Sequence, residues 1–168
     1  MGLTAGRILK FSGKARVFDA PEPSVQAVQK GEIKPGDVVV LRNVGVRGGP
    51  GMGGASRTVF ALDGMGLGAS VAVVTDGQLS GLVNVGLVVG EVTPESAMGG
   101  ALALVEDGDP ISIDVEKREI NLDVPAAELA ARRAILKPRA PTTDSGWLSI
   151  YERTVSPLSQ GASLLGKR

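Results

Sequence analysis

The chain has 168 residues with 18 basic and 18 acidic side chains, 43% hydrophobic and only 3% aromatic content, and 24 glycines. That size fits one domain with a Val, Leu, Ile and Ala core, the charge balance and the scarcity of rings speak against nucleic-acid partners and anionic membranes, and no window approaches the roughly 18 apolar residues of a membrane span. With neither cysteine nor histidine, this chain alone has no disulfide, no thiolate nucleophile, no cysteine-held zinc or iron–sulfur centre and no serine–histidine triad.

The opening "MGLTAGRILKFSGK" lacks the apolar stretch of a signal peptide. Gly6 stands where a myristoylation signal needs Ser or Thr, so a cytoplasmic location is the expectation. Residues 1–12 read as a lead-in and 13–135 as the folded domain. "GKARVFD" (Gly13 to Asp19) has β character. "SVQAVQKG" reads as a short helix with Ser24 as cap and Gly31 as stop. A Pro35-Gly36 turn leads into a strand from Asp37 to Asn43. After a glycine-dense loop, Thr58 to Leu62 reads as a short helix, and "SVAVVTD" as a buried strand by its unbroken apolar run.

"VNVGLVVGEV" reads as another strand, its two glycines hinting at a bend. "TPESA" has a helix-start pattern, with Thr93 as cap before Pro94 and Glu95. "ALALVEDGDPISIDVEKREINLDV" predicts three short strands with turns at Asp107-Gly108 and Glu116-Lys117. Alternation at Ile111, Ile113 and Val115, and at Ile120, Leu122 and Val124, argues for a sheet with one wet face. "PAAELAARRAIL" is the best helix, opened by Pro125. Residues 136–168 read as a linker, a last helix with Trp147, Leu148, Tyr151 and Val155 on one side, and a tail. Short strands outnumber helices and end in a meander. The expected class is therefore α+β and β-rich, a closed or nearly closed β-barrel with a few peripheral helices.

Two stretches carry the functional reading. Gly49-x-Gly51-x-x-Gly54 matches the dinucleotide fingerprint by letter, and Asp76 ends the next apolar strand. The loop starts several residues after its strand, the following helix is short, and the chain ends in a meander. A surface turn is therefore favoured over nucleotide binding. "TDGQLSG" places Ser80 between turns, with Gly77 and Gly81 able to supply unusual backbone angles. A nucleophile elbow fails because Gln78 stands where it needs glycine. A serine presented to a pocket activated from elsewhere stays open beside the plain turn. Glu106, Asp107 and Asp109 read as turn chemistry without EF-hand spacing, and Arg132 and Arg133 as a solvated helix face.

In order along the chain, "GKARVFD", "IKPGDVVVLRNVGVRGGPGM", "GMGLG", "VAVVTDGQLSG", "VGEVTPESAMGGALALVEDGD" and "ISIDVEKREINLDV" resemble the C-terminal domain of the dihydroxy-acid dehydratase and 6-phosphogluconate dehydratase family, which includes sugar-acid (aldonate) dehydratases. The resemblance implies a swivelling β-barrel that closes over a site built mainly by a larger N-terminal domain or subunit. That partner would hold an iron–sulfur cluster and Mg2+, none of it bound by this chain alone. It implies a small hydroxy-acid substrate and a 2-keto acid product. By the same resemblance Ser80 is the base, and Gly49, Gly51, Met52, Asp76, Gly77 and Gly81 form the substrate loops. The chain departs from the pattern where many members carry Pro-Glu-Met, with a magnesium-binding glutamate, and here Gly53-Gly54-Ala55 stands. It departs again at Gln78, at Leu79 and in "GLVNVG" after the serine. Those departures point to a divergent subgroup acting on a sugar acid or another substrate. The alternative is a non-catalytic binding module on the same barrel; a homo-oligomer stays open.

Overall fold

The computed structural model describes residues 8–49, 54–83, 85–137, 139 and 145–164. Six strands form one sheet: β1 (Lys10–Phe18), β2 (Asp37–Leu41), β3 (Ala72–Thr75), β4 (Leu87–Val89), β5 (Pro110–Asp114) and β6 (Glu119–Leu122), in the order β4-β3-β2-β1-β5-β6. The helices are α1 (Pro21–Gln29), α2 (Ala55–Gly64), α3 (Ala126–Ile135) and α4 (Gly146–Thr154).

β1 to β4 run parallel, with Val17 opposite Val40 and Val40 opposite Val74, whereas β5 and β6 are antiparallel. The parallel half explains the unbroken runs "VVV" and "AVV", since both faces of those strands are covered. Val38, Val40, Ala72 and Val74 point into one core with Leu87, Leu102, Val105, Ile111 and Ile113. Val39 and Val73 point the other way, against Ala27 and Val28 of α1 and Val59 and Leu62 of α2. The sheet curls so that Val74 of β3 and Ile120 and Leu122 of β6 line one small cavity of about 70 Å3. The result is a half-barrel with helices outside it, the β-rich mixed class expected from the strand pattern. Its first half alternates strand and helix, which the meander had not suggested.

Several local readings change. β1 begins at Lys10, and Leu9 already takes the Val115 N–H. α1 starts at Pro21, whose fixed φ suits the first turn, so Ser24 is not its cap. Ser24 is buried, its hydroxyl bonded to the Pro21 carbonyl (2.7 Å) and to Thr58 Oγ1 (2.6 Å). Gly31 does follow the helix end, at φ +68°. β2 stops at Leu41 because Asn43 turns left-handed, at φ +61°. Thr93 caps no α-helix, and only a 3-10 turn at Ser96–Met98 follows. Ala101–Leu104 is a second 3-10 turn, so the meander has two strands. Leu102 and Leu104 are buried from that turn as they would be from a strand, which is why their spacing misleads.

α4 is turned partly away from its expected stripe, of which Val155 is buried and Tyr151 half-buried while Trp147 and Leu148 are exposed. Ser149 and Glu152 are buried, while Trp147 is 69% and Ile150 54% exposed. The segment after it is no loose tail: Val155 is fully buried and Leu158–Gln160 form a 3-10 turn. Among the described residues no helix is long and apolar enough to cross a membrane.

Candidate active site

β3 delivers Asp76 to the bottom of the site, fully buried. One carboxylate oxygen accepts the Val44 N–H at 3.0 Å; the other accepts the N–H groups of Asn43 (3.1 Å) and Ser96 (2.9 Å) and the Ser96 hydroxyl. The Ser96 hydroxyl also lies 2.8 Å from the Asn43 N–H. Asp76 thus fastens the loop after β2, the loop after β3 and the Glu95-Ser96 turn at one point. That geometry closes the dinucleotide reading. A carboxylate consumed by three backbone donors has no face left for a ribose, and the parallel strands run in sequence order without the switch point where such ligands sit.

The glycine loop is held close. A Cβ on Gly45 would lie 2.6 Å from Glu95 Oε1 and 3.0 Å from the Asp76 carbonyl. Gly49 donates its N–H to the Gly45 carbonyl at 2.8 Å and sits against Val44. Gly51 and Met52 lie outside the described residues. Glu95, 1% exposed, accepts the N–H of Leu158 (2.9 Å) and of Arg47 (3.4 Å).

Ser80 stands at the tip, exposed. Its N–H donates to Ser56 Oγ in the first turn of α2 at 2.7 Å, and its own Oγ accepts the Leu82 N–H at 3.2 Å. With Leu79, Val83, Val85, Gly86 and Val88 it lines an open cavity of about 330 Å3. Gly77 and Gly81 have different reasons to be glycine than expected, since neither is left-handed. Gly77 is buried, and a Cβ there would lie 2.7 Å from Val44 Cγ2, whereas around Gly81 the space is open. Gly49, Asp76 and Gly77 thus meet around Val44, with Ser96 and Glu95 beside them, while Ser80 is held through Ser56 and faces its own cavity. The Glu95-Ser96 pair had been read only as a helix start.

Ion pairs brace the flanks. Asp19 accepts from Arg42 Nε (2.6 Å) and Asn43 Nδ2 (2.7 Å), and Arg42 Nη1 donates to the Val105 carbonyl at 2.9 Å. Burial pushes the Asp19 carboxyl up, but Arg42 and Asn43 outweigh it and hold it below the ordinary value. Arg132 is not a solvated residue. It donates to Asp109 (2.5 and 3.0 Å), Glu128 (2.5 Å) and the Leu104 carbonyl (2.9 Å), which fastens α3 to the barrel, and the hydrogen bond to Asp109 leads the causes that raise its pKa. Asp109 and Asp107 are turn residues as read: Asp109 Oδ2 takes the Glu106 N–H and Asp107 Oδ1 the Val17 N–H.

The curled mixed sheet presents Ser80, exposed, on a loop tied to α2 through Ser56. Residues 2–162 match the family described as dihydroxy-acid/6-phosphogluconate dehydratase C-terminal, and the chain belongs to that family. It is 52% identical over 152 residues to a dihydroxy-acid dehydratase of Chloroflexus aggregans, covering 90% of this chain and 27% of that protein. It is 48% identical over 153 residues to the dihydroxy-acid dehydratase of Anaeromyxobacter sp. (91% and 27%), and 46% over 158 residues to that of Clostridium beijerinckii (94% and 28%). The chain spans little more than a quarter of the length of these relatives.

Proposed function

We propose that this chain is the swivelling C-terminal part of a hydro-lyase that converts a 2,3-dihydroxy acid into a 2-keto acid, with Ser80 as the base. The observation that carries the proposal is Ser80 itself: an exposed hydroxyl on a loop fastened from below by Asp76 and from the side by Ser56, in a chain that matches the family almost throughout. The names of the relatives favour a dihydroxy acid; a sugar acid is the second substrate class to assay.

The cluster and magnesium ion implied by the resemblance do not fit the residues described here. The chain has no Cys or His. Among the described residues no three carboxylates gather as a metal site, and Asp76 and Glu95 are engaged by backbone donors. In this proposal those groups belong to the partner. This chain's own part is proton transfer. The Ser80 alkoxide takes the proton from the carbon beside the substrate carboxylate. The electron pair left behind forms the double bond to the next carbon as hydroxide leaves from it, and the resulting enol tautomerises to the 2-keto acid. The Leu82 N–H favours charge on Ser80 Oγ. Ser56 and the Leu82 N–H, which bond Ser80, are neutral, so in this proposal the positive field an alkoxide needs comes from the partner.

A specific observation favours a second reading, a binding module that keeps the fold without the chemistry. The magnesium-binding glutamate of many members falls on Gly54, where a Cβ would lie 3.1 Å from Arg57 Cδ and 3.3 Å from Pro21 Cγ. The test is to assemble the chain with an upstream dehydratase portion under anaerobic conditions. Formation of 2-keto acid and exchange of the substrate's alpha proton are then followed for 2,3-dihydroxy acids and sugar acids. Ser80→Ala should lower both by about 100-fold or more, the worth of a positioned base, while changing stability by no more than about 0.5 kcal/mol. A folded, substrate-binding Ser80→Ala variant that exchanges at the parent rate removes Ser80 from the role. An assembled parent without turnover favours the binding module.

A further inference from the structure

Glu95 is a buried carboxylate that the chemistry above does not use. Among the described residues no Lys or Arg forms an ion pair with it. Keeping a charge there is costly, and an apolar side chain or a glutamine would fill the space at less cost. What neither can do is accept at two oxygens at once. Oε1 faces the Arg47 N–H in the glycine loop, and Oε2 faces the Leu158 N–H in the C-terminal segment. The Arg47 side chain closes the same circuit from the other side. Its Nε donates to the Val155 carbonyl at 2.9 Å and Nη1 lies 3.3 Å from Met98 Sδ. Gly45 completes the fit, because any Cβ would strike Glu95 Oε1. Residues 155–158 are thereby tied to the loop 43–49, more than a hundred positions upstream.

We propose that Glu95 is a positioning residue: it straps the C-terminal segment to the glycine loop, and the strap sets how tightly the site holds its hydroxy-acid substrate. The proposal rests on the reading of that loop as part of the substrate site. Glu95 does not touch the reacting atoms. It fixes the backbone of Gly45 to Gly49, which a carboxylate-bearing substrate would meet, so its loss should act on binding before it acts on the chemical step.

Two variants test it. Glu95→Gln keeps the size and removes one acceptor. Leu158→Pro leaves Glu95 intact and removes the donor at the first position of a 3-10 turn, where proline's fixed φ is tolerated. Amide hydrogen exchange of the full chain is compared at Gly45 and Gly49 and, as reference, at Val39 and Val73. Both variants should speed exchange in the glycine loop on the order of tenfold or more without moving the sheet amides. In the assembled enzyme, with the 2,3-dihydroxy acid found active in the assay above, both should raise KM by on the order of fivefold with kcat little changed. Loop amides that do not move, or sheet amides that move equally, overturn the strap. A loosened loop with KM unchanged overturns its role in substrate binding. If the assembled parent has no turnover, the functional reading fails separately, and the exchange comparison alone decides whether Glu95 ties segment to loop.

Discussion

Replacing Asp76 should cost more stability than replacing Ser80, although Ser80 is the proposed base. Asp76 is fully buried and serves three backbone N–H groups and the Ser96 hydroxyl. Asp76→Asn offers a single acceptor oxygen. If that oxygen takes the side facing Asn43 and Ser96, the amide nitrogen is left pointing at the Val44 N–H. One bond is lost and two donors face each other, a cost of about 2 kcal/mol. Asp76→Ala strands the Val44 and Ser96 N–H groups and the Ser96 hydroxyl, while the Asn43 N–H keeps the Ser96 oxygen. Relaxation and water entry recover part of that loss, so about 4 kcal/mol is the expected scale. For a chain of this size about 1 kcal/mol moves Tm by roughly 2–4 °C. Asp76→Asn should therefore melt roughly 4–8 °C below the parent and Asp76→Ala roughly 8–16 °C below it. Thermal melting by circular dichroism, with urea titration as a second probe, measures both. The reasoning fails if both variants melt within about 2 °C of the parent or if Asn is worse than Ala.

Gly77→Ala should cost about 1–3 kcal/mol, because its new methyl would lie 2.7 Å from Val44 Cγ2 and 3.1 Å from the Val44 carbonyl; Gly81→Ala, in open space, is the control and should melt with the parent. Burial pushes the Asp109 carboxyl up, yet hydrogen bonds from Arg132 and the Glu106 N–H hold it below its ordinary value. The stability it contributes is then complete above the unfolded aspartate value near 3.9 and is lost as pH falls through the lower folded value. Asp109→Asn should flatten the acid limb of the Tm–pH curve below about pH 4, and an unchanged limb would show that the Arg132 pair does not carry it. Ser56→Ala removes the acceptor for the Ser80 N–H; turnover in the assembled enzyme should fall by about tenfold, with solvent exchange of the alpha proton falling in step, if that contact aims Ser80. Gly54→Glu, read by isothermal titration of Mg2+ into the assembled enzyme, should add a magnesium-dependent heat only if Arg57 and Pro21 can make room, and a well-folded variant without it supports the binding-module reading.

Physical causes divide what the sequence shows from what it hides. The runs at 38–41 and 72–75 are legible as buried strands because parallel neighbours and two covered faces leave no room for polar alternation. Strand order is not legible, since an apolar run does not name its neighbour. α4 defeats the helical-wheel argument because Ser149 and Glu152 face inward while Trp147 and Ile150 face out. Asp76 shows how far a single site residue can be read. An acid ending an apolar strand suits a ribose ligand, a substrate loop or a structural pin equally well. What decides among them is the arrival of the Asn43 and Val44 N–H groups from more than thirty residues upstream. Resemblance singles out Ser80 as a candidate, but nothing in the sequence points to its contact Ser56, because only the fold brings the first turn of α2 beside it.

The two buried carboxylates lead to one further step. Asp76 and Glu95 both spend their charge on backbone donors, and neither is left to polarise Ser80 or to hold a cation. On the proposed function this chain would supply the positioning of Ser80 and the partner the charge. Residues 43–49 and the Ser80 loop are held by contacts within the chain, so on the proposed function a partner would have to bring positive charge to Ser80 rather than remodel those residues. Preorganisation of that kind lowers the reorganisation needed at the moment of reaction. On the same proposal an isolated Ser80 would be inert, since an alkoxide in water without a cationic neighbour is too scarce to act. Geometry in one part and charge in the other would confine the chemistry to the assembled enzyme.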